Sequence, residues 1–346
     1  MTNDVVTLYA YDWQRAESYG RIAHELADGL EAKGLHVNRI GPHAPTDRPV
    51  RMSFGGIGLG YPTNTDYYGS LFEMGPRIWV TAFESTRIPW GWADILNQSQ
   101  GAIVPSSWLV DVFKNEGVDV PVHCVHQGVS AVYRPVTRES GRPYTFLLLA
   151  DRAERKGFKE GCFAFMRAFG DDPNYRLIVK ARKGYPIHFA NPNVDTRSAD
   201  YSDDEMLALY AEADCMIFPG REGFGLPPRE FAATGGTAIA LNWGGTADHL
   251  PQWGLPIAVK GMEPAWATHS RFAGMGEWGA IDVDDLAATL KHVAAHRDYY
   301  RQRSIASAAF ATQTYDWSLY ASRVLAIWQE AVESYGRSHR QLRQAV

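Results

Sequence analysis

Short apolar runs alternate with amphipathic helical segments along most of this 346-residue sequence. Val5–Ala10 is a strand-like run, and residues 16–33 follow with Ile22, Leu26 and Leu30 at helical spacing. Because parallel strands need a crossover connection, this alternation predicts parallel sheets covered by helices. The other predicted strands are 37–40, 78–83, 102–104, 122–125, 144–149, 176–180 and Cys215–Phe218, and the other predicted helices are 160–169, 203–213 and 317–330.

The length and one proline-containing turn predict two domains. A chain of 346 residues is long enough for two separate cores. Residues 133–135 read Tyr-Arg-Pro and come just before a new series of strand and helix patterns. Because proline disfavours a helix and a new series of elements follows, we expect the domain boundary there.

Composition indicates a folded protein of a reducing compartment. Hydrophobic residues make up 45% of the sequence and aromatic residues 12%, which excludes a disordered chain. The cysteines Cys124, Cys162 and Cys215 have neither disulfide-like nor metal-like spacing. We find no signal-peptide pattern and no apolar run long enough to span a bilayer, so we expect a cytoplasmic location. A net charge of −5 gives no general attraction to nucleic acid or anionic lipid.

Glu222 and Glu230 flank the most informative segment of the sequence. An apolar strand-like run precedes them, and a helix is expected to begin near Pro227 or Pro228 because proline is tolerated in a first helical turn. The N–H groups of residues 223–226 would then lie at a positive helix end, which favours phosphate. Two carboxylates beside such an end suit a ligand with hydroxyls at both ends and phosphates between them, such as a nucleotide-diphosphate sugar.

The order of motifs resembles that of the retaining GT-B glycosyltransferases of the family-4-like group, whose signature is two glutamates separated by seven residues. Glu222 and Glu230 match that signature, and the resemblance extends over about residues 79–330. The other matching motifs are Val104-Pro105-Ser106, His126-Gln127-Gly128-Val129, Ala150-Asp151-Arg152 with Arg155-Lys156-Gly157, Tyr210 to Asp214, Gly235 to Ala240, and Gly244-Gly245-Thr246-Ala247-Asp248. Ala150 stands where the family has glycine, and Asp248 where it has glutamate.

The resemblance implies an α/β protein of the GT-B fold, with two facing Rossmann-like domains that form one cleft. Residues 1–132 would be the acceptor-side domain and residues 133–315 the nucleotide-sugar donor domain. Residues 316–346 would form a C-terminal helix that returns to the N-terminal domain.

The resemblance also implies a role for each site residue. Glu222 would hold the donor sugar and Glu230 the ribose, while Arg152 and Lys156 would bind the diphosphate. The turn residues Gly223, Phe224, Gly225 and Leu226 would complete the donor site. The acceptor would attack on the face that the leaving phosphate occupies, so we expect retention without a metal ion or cofactor.

Two departures from the family pattern concern the N-terminal half. Ser18-Tyr19-Gly20 stands where relatives carry a glycine pair, so a phosphate contact from that loop is not expected. Relatives often place a histidine after the strand at residues 78–83, whereas this chain has Glu84. Glu84 is therefore the candidate catalytic residue at this position, where it would act as a general base. The alternative is that it only forms hydrogen bonds with the backbone at the domain mouth.

Three alternatives to a retaining GT-B glycosyltransferase have weaker support in the sequence. The Gly55–Gly60 run fails the dinucleotide pattern because Tyr61 stands where the third glycine is needed. Asp282-Val283-Asp284 resembles a metal site, but its position indicates a helix N-cap. A binding module without catalysis is the non-enzymatic alternative, and donor hydrolysis would distinguish the two.

Several side chains have two interpretations each. Lys180, Arg182 and Lys183 fit either a nucleotide pocket or a basic surface turn, and Trp90 and Trp92 either a sugar platform or loop packing. Arg155 and Lys159 are expected on a solvated helix face, as are His292 and His296.

The acceptor is expected to be a hydroxyl compound such as a soluble sugar, a glycan or a small molecule. The charges of residues 21–33 are mixed, which argues against stable attachment to an anionic membrane. A modified nucleic acid remains an alternative acceptor that the acidic net charge disfavours. The donor motifs are compatible with UDP, GDP and ADP sugars alike.

Overall fold

The chain divides into two compact units in a computed structural model. The structure describes residues 4–15, 18–45, 47, 49–53, 55–62, 74–150, 154–185, 187–265 and 275–344. The first unit contains Met1–Phe83, Arg87–Gly128 and Asp316–Val346, and the second contains Glu84–Thr86 and Val129–Tyr315.

The described residues of the first unit form a parallel six-stranded sheet in the order β2-β1-β3-β4-β5-β6. The strands are β1 (Val5–Ala10), β2 (His36–Ile40), β3 (Gly56–Leu59), β4 (Arg77–Val80), β5 (Gly101–Val104) and β6 (Val122–Cys124). Strand β3 is the glycine-rich run, and it lies buried between β1 and β4. A dinucleotide loop is therefore excluded there, as predicted.

The helices α1 (Ser18–Glu31), α2 (Trp92–Leu96) and α3 (Ser107–Asn115) belong to this unit. A long terminal helix (Trp317–Gln344) packs against α1, and a Cβ atom at Gly29 would lie 2.6 Å from Ala321 Cβ. The chain thus returns to its first unit, as the sequence predicted. In the described part of the chain, no helix is both long and apolar enough to cross a bilayer.

Strand β4 ends at Val80, although the sequence predicted a strand to Phe83. The Tyr19 hydroxyl explains the difference, because it accepts the Ala82 N–H at 3.0 Å and so replaces a strand partner. Helix α1 thereby holds the segment that leads to Glu84.

The described residues of the second unit form another parallel six-stranded sheet, in the order β12-β11-β10-β7-β8-β9, and one antiparallel hairpin. The strands are β7 (Tyr144–Ala150), β8 (Tyr175–Ala181), β9 (Val194–Ser198), β10 (Cys215–Phe218), β11 (Thr237–Leu241) and β12 (Leu255–Ile257), and the hairpin is β13 (Val259–Pro264) with β14 (Glu277–Ile281). The expected class of two parallel-sheet α/β domains with a C-terminal helix is confirmed.

The helices of the second unit are α4 (Phe158–Phe169), α5 (Asp203–Glu212), α6 (Leu226–Ala233), α7 (Leu250–Trp253), α8 (Val283–Ala295) and α9 (Arg297–Thr314). Helix α6 begins at Leu226, so Pro227 and Pro228 lie inside its first turn, where their missing N–H groups cost nothing. The buried side chains of Leu147, Met216 and Phe231 belong to the core between this sheet and its helices.

Candidate functional site

Glu222 lies in the turn between strand β10 and helix α6, where the parallel sheet presents the carboxyl end of a central strand. The residue is 7% exposed. A carboxylate with so little contact to water needs partners that supply charge or hydrogen bonds.

Two cations hold this carboxylate. Arg155 Nη1 donates to Glu222 Oε2 at 2.7 Å, and Lys156 Nζ donates to Glu222 Oε1 at 2.5 Å. Burial by itself would raise the pKa of Glu222, but the charges and hydrogen bonds of Arg155 and Lys156 outweigh it and lower the pKa below its ordinary value of 4.5. Glu222 is therefore an ionised, fixed carboxylate at neutral pH.

Arg155 also approaches Glu84, with 3.6 Å between Nη2 and Glu84 Oε1. The sequence had placed Glu84 in the first domain, but residues 84–86 belong to the second unit. The Thr86 N–H donates to the Glu277 carbonyl at 3.0 Å, and the Ser85 hydroxyl donates to the Met275 carbonyl. These bonds attach the segment to strand β14 and bring Glu84 to the cations that bind Glu222.

The expectation of a solvated Arg155 is wrong, because its side chain is 25% exposed and ion-paired with both carboxylates. Lys159, in contrast, is 74% exposed, as predicted. The spacing of the two residues in the sequence could not predict this difference, since Arg155 lies in the middle of a 3-10 turn (Glu154–Lys156) and Lys159 lies on helix α4. The predicted phosphate ligand Arg152 lies outside the described residues.

Gly157 brings the Lys156 turn against the Glu222 turn. Its φ is +64°, and a Cβ atom there would lie 2.7 Å from the Pro219 carbonyl oxygen. The Arg221 N–H donates to the Arg155 carbonyl at 2.8 Å. The two turns are thus joined through their backbones, which fixes the distance between the cations and the carboxylate.

The start of helix α6 presents backbone amides. Gly225 is its N-cap, with φ +86°, and a Cβ atom there would lie 2.7 Å from Thr246 Cγ2. In the described part of the chain, neither the Gly223 nor the Gly225 amide donates to a backbone carbonyl. This end of the helix can therefore accept an anion.

Arg229 determines the direction of those amides. Its fully buried guanidinium donates to the Phe224 carbonyl, to Gly225 at 3.1 Å and to Gly245 at 3.0 Å. A trans peptide places each carbonyl opposite the next N–H, so the Gly225 and Leu226 amides point away from Arg229.

A second glycine turn is joined to the first. The Gly245 N–H donates to the Glu222 carbonyl at 2.8 Å, and a Cβ atom at Gly245 would lie 1.8 Å from the Gly223 carbonyl oxygen. Arg229 also donates to the Asp248 carbonyl at 3.1 Å. The motif with Asp248 therefore supports the Glu222 turn through backbone contacts, for which Gly245 has to remain glycine.

Glu230 is 5% exposed and lies on helix α6. The Tyr210 hydroxyl donates to Glu230 Oε2 at 3.4 Å. Tyr210 belongs to the core of the second unit, so this carboxylate has a fixed position on the same helix whose first turn presents the amides.

Two buried arginines, Arg221 and Arg229, were not predicted as functional residues. Arg221 donates to Glu160 at 3.1 Å, Glu263 at 2.7 Å and the Gly279 carbonyl at 3.0 Å. Each arginine directly precedes a signature glutamate, and this repeated Arg-Glu dipeptide was the available signal. Among the described residues, Arg221 forms salt bridges with Glu160 and Glu263, and Arg229 donates to backbone carbonyls.

The structure gives the positions of three side chains for which the sequence allowed two interpretations, those of Trp90, Trp92 and Lys180. Trp92 is fully buried and packs against Phe83, whereas Trp90 is 90% exposed. Lys180 is inside strand β8 with its ammonium 5.2 Å from the ring centre of Tyr201.

Two interpretations are confirmed among the polar side chains. Asp282 is the N-cap of helix α8, and its carboxylate accepts the Asp284 N–H at 2.9 Å. His292 and His296 are both exposed, and the His296 ring bonds the His292 carbonyl at 2.8 Å.

Solved structures with the same architecture include sucrose-phosphate synthase from Thermosynechococcus elongatus, which is 15% identical, with a TM-score of 0.69 over 99% of this chain and 100% of that chain. An Anabaena protein solved in complex with UDP and glucose is 10% identical, with a TM-score of 0.65 over 92% of this chain and 97% of that chain. An α,α-trehalose 6-phosphate synthase from Burkholderia multivorans is 11% identical, with a TM-score of 0.64 over 96% and 100%. These similarities confirm the GT-B fold.

The sequence matches no protein-family model, and no curated protein matches it.

Replacing Arg229 by lysine should lower the melting temperature by several degrees. An ammonium cannot donate to four separated carbonyls, and each buried acceptor left without a partner costs about 1–3 kcal/mol. Calorimetry of Arg229→Lys measures the effect. Arg337→Lys is the control, because the Arg337 side chain is 63% exposed on the terminal helix. Equal melting temperatures for Arg229→Lys and the unmodified protein would contradict the assigned role.

The stability that Glu222 contributes should disappear in acid. A folded pKa below 4.5 means that its ion pairs stabilise the protein above that pH, and that the stabilisation is lost as the pH falls through the folded value. The melting temperature of the unmodified protein should therefore exceed that of Glu222→Gln at pH 7, with a gap that shrinks below about pH 4.5. Glu333→Gln, at a side chain 72% exposed, is the control. A gap that widens in acid would contradict the ionised state.

Proposed function

We propose that this protein is a retaining glycosyltransferase that moves a sugar from a nucleotide-diphosphate sugar to a hydroxyl acceptor. The observation that carries the proposal is the buried Glu222 carboxylate between Lys156 at 2.5 Å and Arg155 at 2.7 Å, beside the amide-presenting start of helix α6. A fixed carboxylate suits sugar hydroxyls, and a cation beside a helix end suits a diphosphate.

The similarity in fold supports this class of reaction. One protein with the same architecture was solved in complex with UDP and glucose, and two others are named as sucrose-phosphate and trehalose 6-phosphate synthases. The signature pair Glu222 and Glu230 lies in the second unit, on either side of the first turn of helix α6.

In the proposed reaction, the bond between the anomeric carbon and the diphosphate oxygen breaks while the acceptor oxygen bonds to the same face of that carbon. The proton of the acceptor hydroxyl passes to the leaving phosphate oxygen. Lys156, Arg152 and the Gly225 and Leu226 amides neutralise the charge that develops on the diphosphate, in the role that a metal ion has in other transferases.

The two signature carboxylates have different proposed tasks. Glu222 accepts hydrogen bonds from hydroxyls of the transferred sugar, and its ionised state strengthens them as positive charge develops on the ring. Glu230, which Tyr210 fixes, accepts the ribose hydroxyls. Glu84 lies beside Arg155, and we assign it to the same cluster of charged side chains.

Arg152→Ala and Lys156→Ala should weaken binding of the nucleoside diphosphate by roughly tenfold to a hundredfold, because a charge-assisted hydrogen bond contributes about 1.5–3 kcal/mol. Binding of the nucleoside, which has no phosphates, should change little. Calorimetric titration of each variant with uridine and UDP, guanosine and GDP, and adenosine and ADP measures both affinities.

Lys159→Ala is the matched control for these titrations, since its side chain is 74% exposed and close in sequence. If Lys156→Ala binds nucleoside and nucleotide as the unmodified protein does, the assignment of the phosphate site is wrong.

Glu222→Gln and Glu230→Gln should fail in different kinetic parameters. Loss of the carboxylate that holds the transferred sugar should lower kcat strongly, whereas loss of the ribose contact should mainly raise the donor KM. Steady-state donor hydrolysis, with UDP-, GDP- and ADP-glucose as candidates, separates the two effects. Equal loss of nucleotide affinity in both variants would argue against the division of tasks.

A further inference from the structure

Arg155 is the cation of this site that contacts several groups of the protein itself. Nη1 donates to Glu222 at 2.7 Å and to the Arg221 carbonyl at 3.3 Å, while Nη2 lies 3.6 Å from Glu84. The guanidinium thus joins two carboxylates and one backbone carbonyl. A planar fork with five N–H groups is suited to such a bridge.

Lys156 has a simpler environment. Among the described residues, Glu222 accepts a hydrogen bond from its ammonium at 2.5 Å. An ammonium carries three N–H groups, so Lys156 retains donors for a second anion. The two neighbouring cations therefore differ in what they can still bind.

An anion would meet Arg155 under unfavourable conditions. The Glu84 carboxylate is close to Nη2, and the Glu222 carboxylate and the Arg221 carbonyl occupy Nη1. A phosphate that approached this guanidinium would be repelled by both carboxylates. Near Lys156 the described carboxylate in contact is that of Glu222, which uses one of the three N–H groups of the ammonium.

We propose that Arg155 is a positioning residue: it keeps the Glu222 carboxylate in place when Lys156 binds the donor diphosphate, and Glu84 is its outer counter-ion. This inference rests on the proposed function, and it adds a residue to which the sequence pattern gave no role. A diphosphate competes with Glu222 for Lys156, so a carboxylate held by Lys156 alone would lose its partner when the donor arrives. Arg155 stays with Glu222 in both states.

The neighbouring charges support the same geometry. Arg221, next to Glu222 in the chain, is bound to Glu160 and Glu263 and is 1% exposed. Its charge is therefore balanced by carboxylates other than Glu222. Among the described residues, Arg155 and Lys156 are the cations that pair with Glu222.

The test compares Arg155→Gln, Arg155→Lys and Lys156→Ala, with Lys159→Gln as control. Affinity is measured with UDP, GDP and ADP, and turnover by hydrolysis of whichever of UDP-, GDP- and ADP-glucose the unmodified protein cleaves fastest. We expect Arg155→Gln to keep the nucleotide affinity within about twofold while kcat falls roughly tenfold to a hundredfold, the loss that one charge-assisted hydrogen bond corresponds to. Arg155→Lys should have a higher kcat than Arg155→Gln, since a lysine ammonium can pair with Glu222 but cannot bridge Glu222 and Glu84.

The pH dependence of kcat distinguishes this role from a merely structural one, which would leave the pH profile unchanged. Without Arg155, the ionised form of Glu222 loses a stabilising charge, so the acid limb of the kcat profile should shift to higher pH in Arg155→Gln. Lys159→Gln should change neither the affinity, the rate nor the profile, because its side chain is 74% exposed.

Two results would overturn the proposal. If Arg155→Gln weakens nucleotide binding as much as Lys156→Ala does, Arg155 is a phosphate ligand. If affinity, kcat and pH profile are all unchanged, Arg155 has no role in the site.

The same experiments distinguish failure of the proposed function from failure of the role assigned to Arg155. If the unmodified protein binds none of the nucleotides and hydrolyses none of the donors, that function is wrong, and the role of Arg155 is decided by stability alone. The Glu222→Gln substitution should then lower the melting temperature both in the unmodified protein and in the Arg155→Gln variant. As the pH falls, this effect should vanish at a higher pH in the Arg155→Gln variant. If the effect vanishes at the same pH in both proteins, Arg155 does not hold Glu222.

Discussion

The buried guanidinium of Arg229 is the interaction on which the geometry of the second unit's site depends. It binds the carbonyls of two glycine turns and lies within 4.9 Å of the rings of Phe224, Trp253 and Tyr315. Burial lowers the pKa of Arg229, so the cation has to be stabilised by these oxygen atoms and aromatic faces. Because the carbonyls point inward to the cation, the amides at the start of helix α6 point outward. One buried charge thereby fixes the direction of the backbone amides to which we assign the donor diphosphate.

Charge is distributed around Glu222 in layers. Arg155 and Lys156 meet the carboxylate directly, and Glu84 balances Arg155 from outside. Arg221 binds Glu160 and Glu263 instead, so it holds hairpin β13–β14 and helix α4 without drawing on Glu222. A buried ion pair stabilises only if its remaining donors and acceptors are satisfied, and the Arg221 carbonyl completes the coordination of Arg155. The position of Glu222 is therefore set by a network and not by a single pair.

Much of the architecture could be predicted from the sequence. Strands such as Val5–Ala10 and Cys215–Phe218 are continuous apolar runs because both faces of a parallel sheet are covered by helices. Strand β3 was missed because glycines supply no apolar pattern, yet only glycine fits at position 56, where a Cβ atom would lie 2.6 Å from the Thr7 carbonyl oxygen. The hairpin β13–β14 was missed as well, since β13 is mostly exposed and carries little apolar periodicity.

For the site, the sequence by itself determined the signature glutamates, the Lys156 turn and the glycine-rich start of helix α6, because each is a local pattern within one loop. Only the tertiary structure decided which charges meet. Arg155 and Lys159 are four residues apart and look alike in sequence, but one lies against Glu222 and the other faces water. Glu84 reaches the second unit because Ser85 and Thr86 bind strand β14, almost two hundred residues later in the chain. Such partners come from long-range backbone pairing, which no pattern of neighbouring residues encodes.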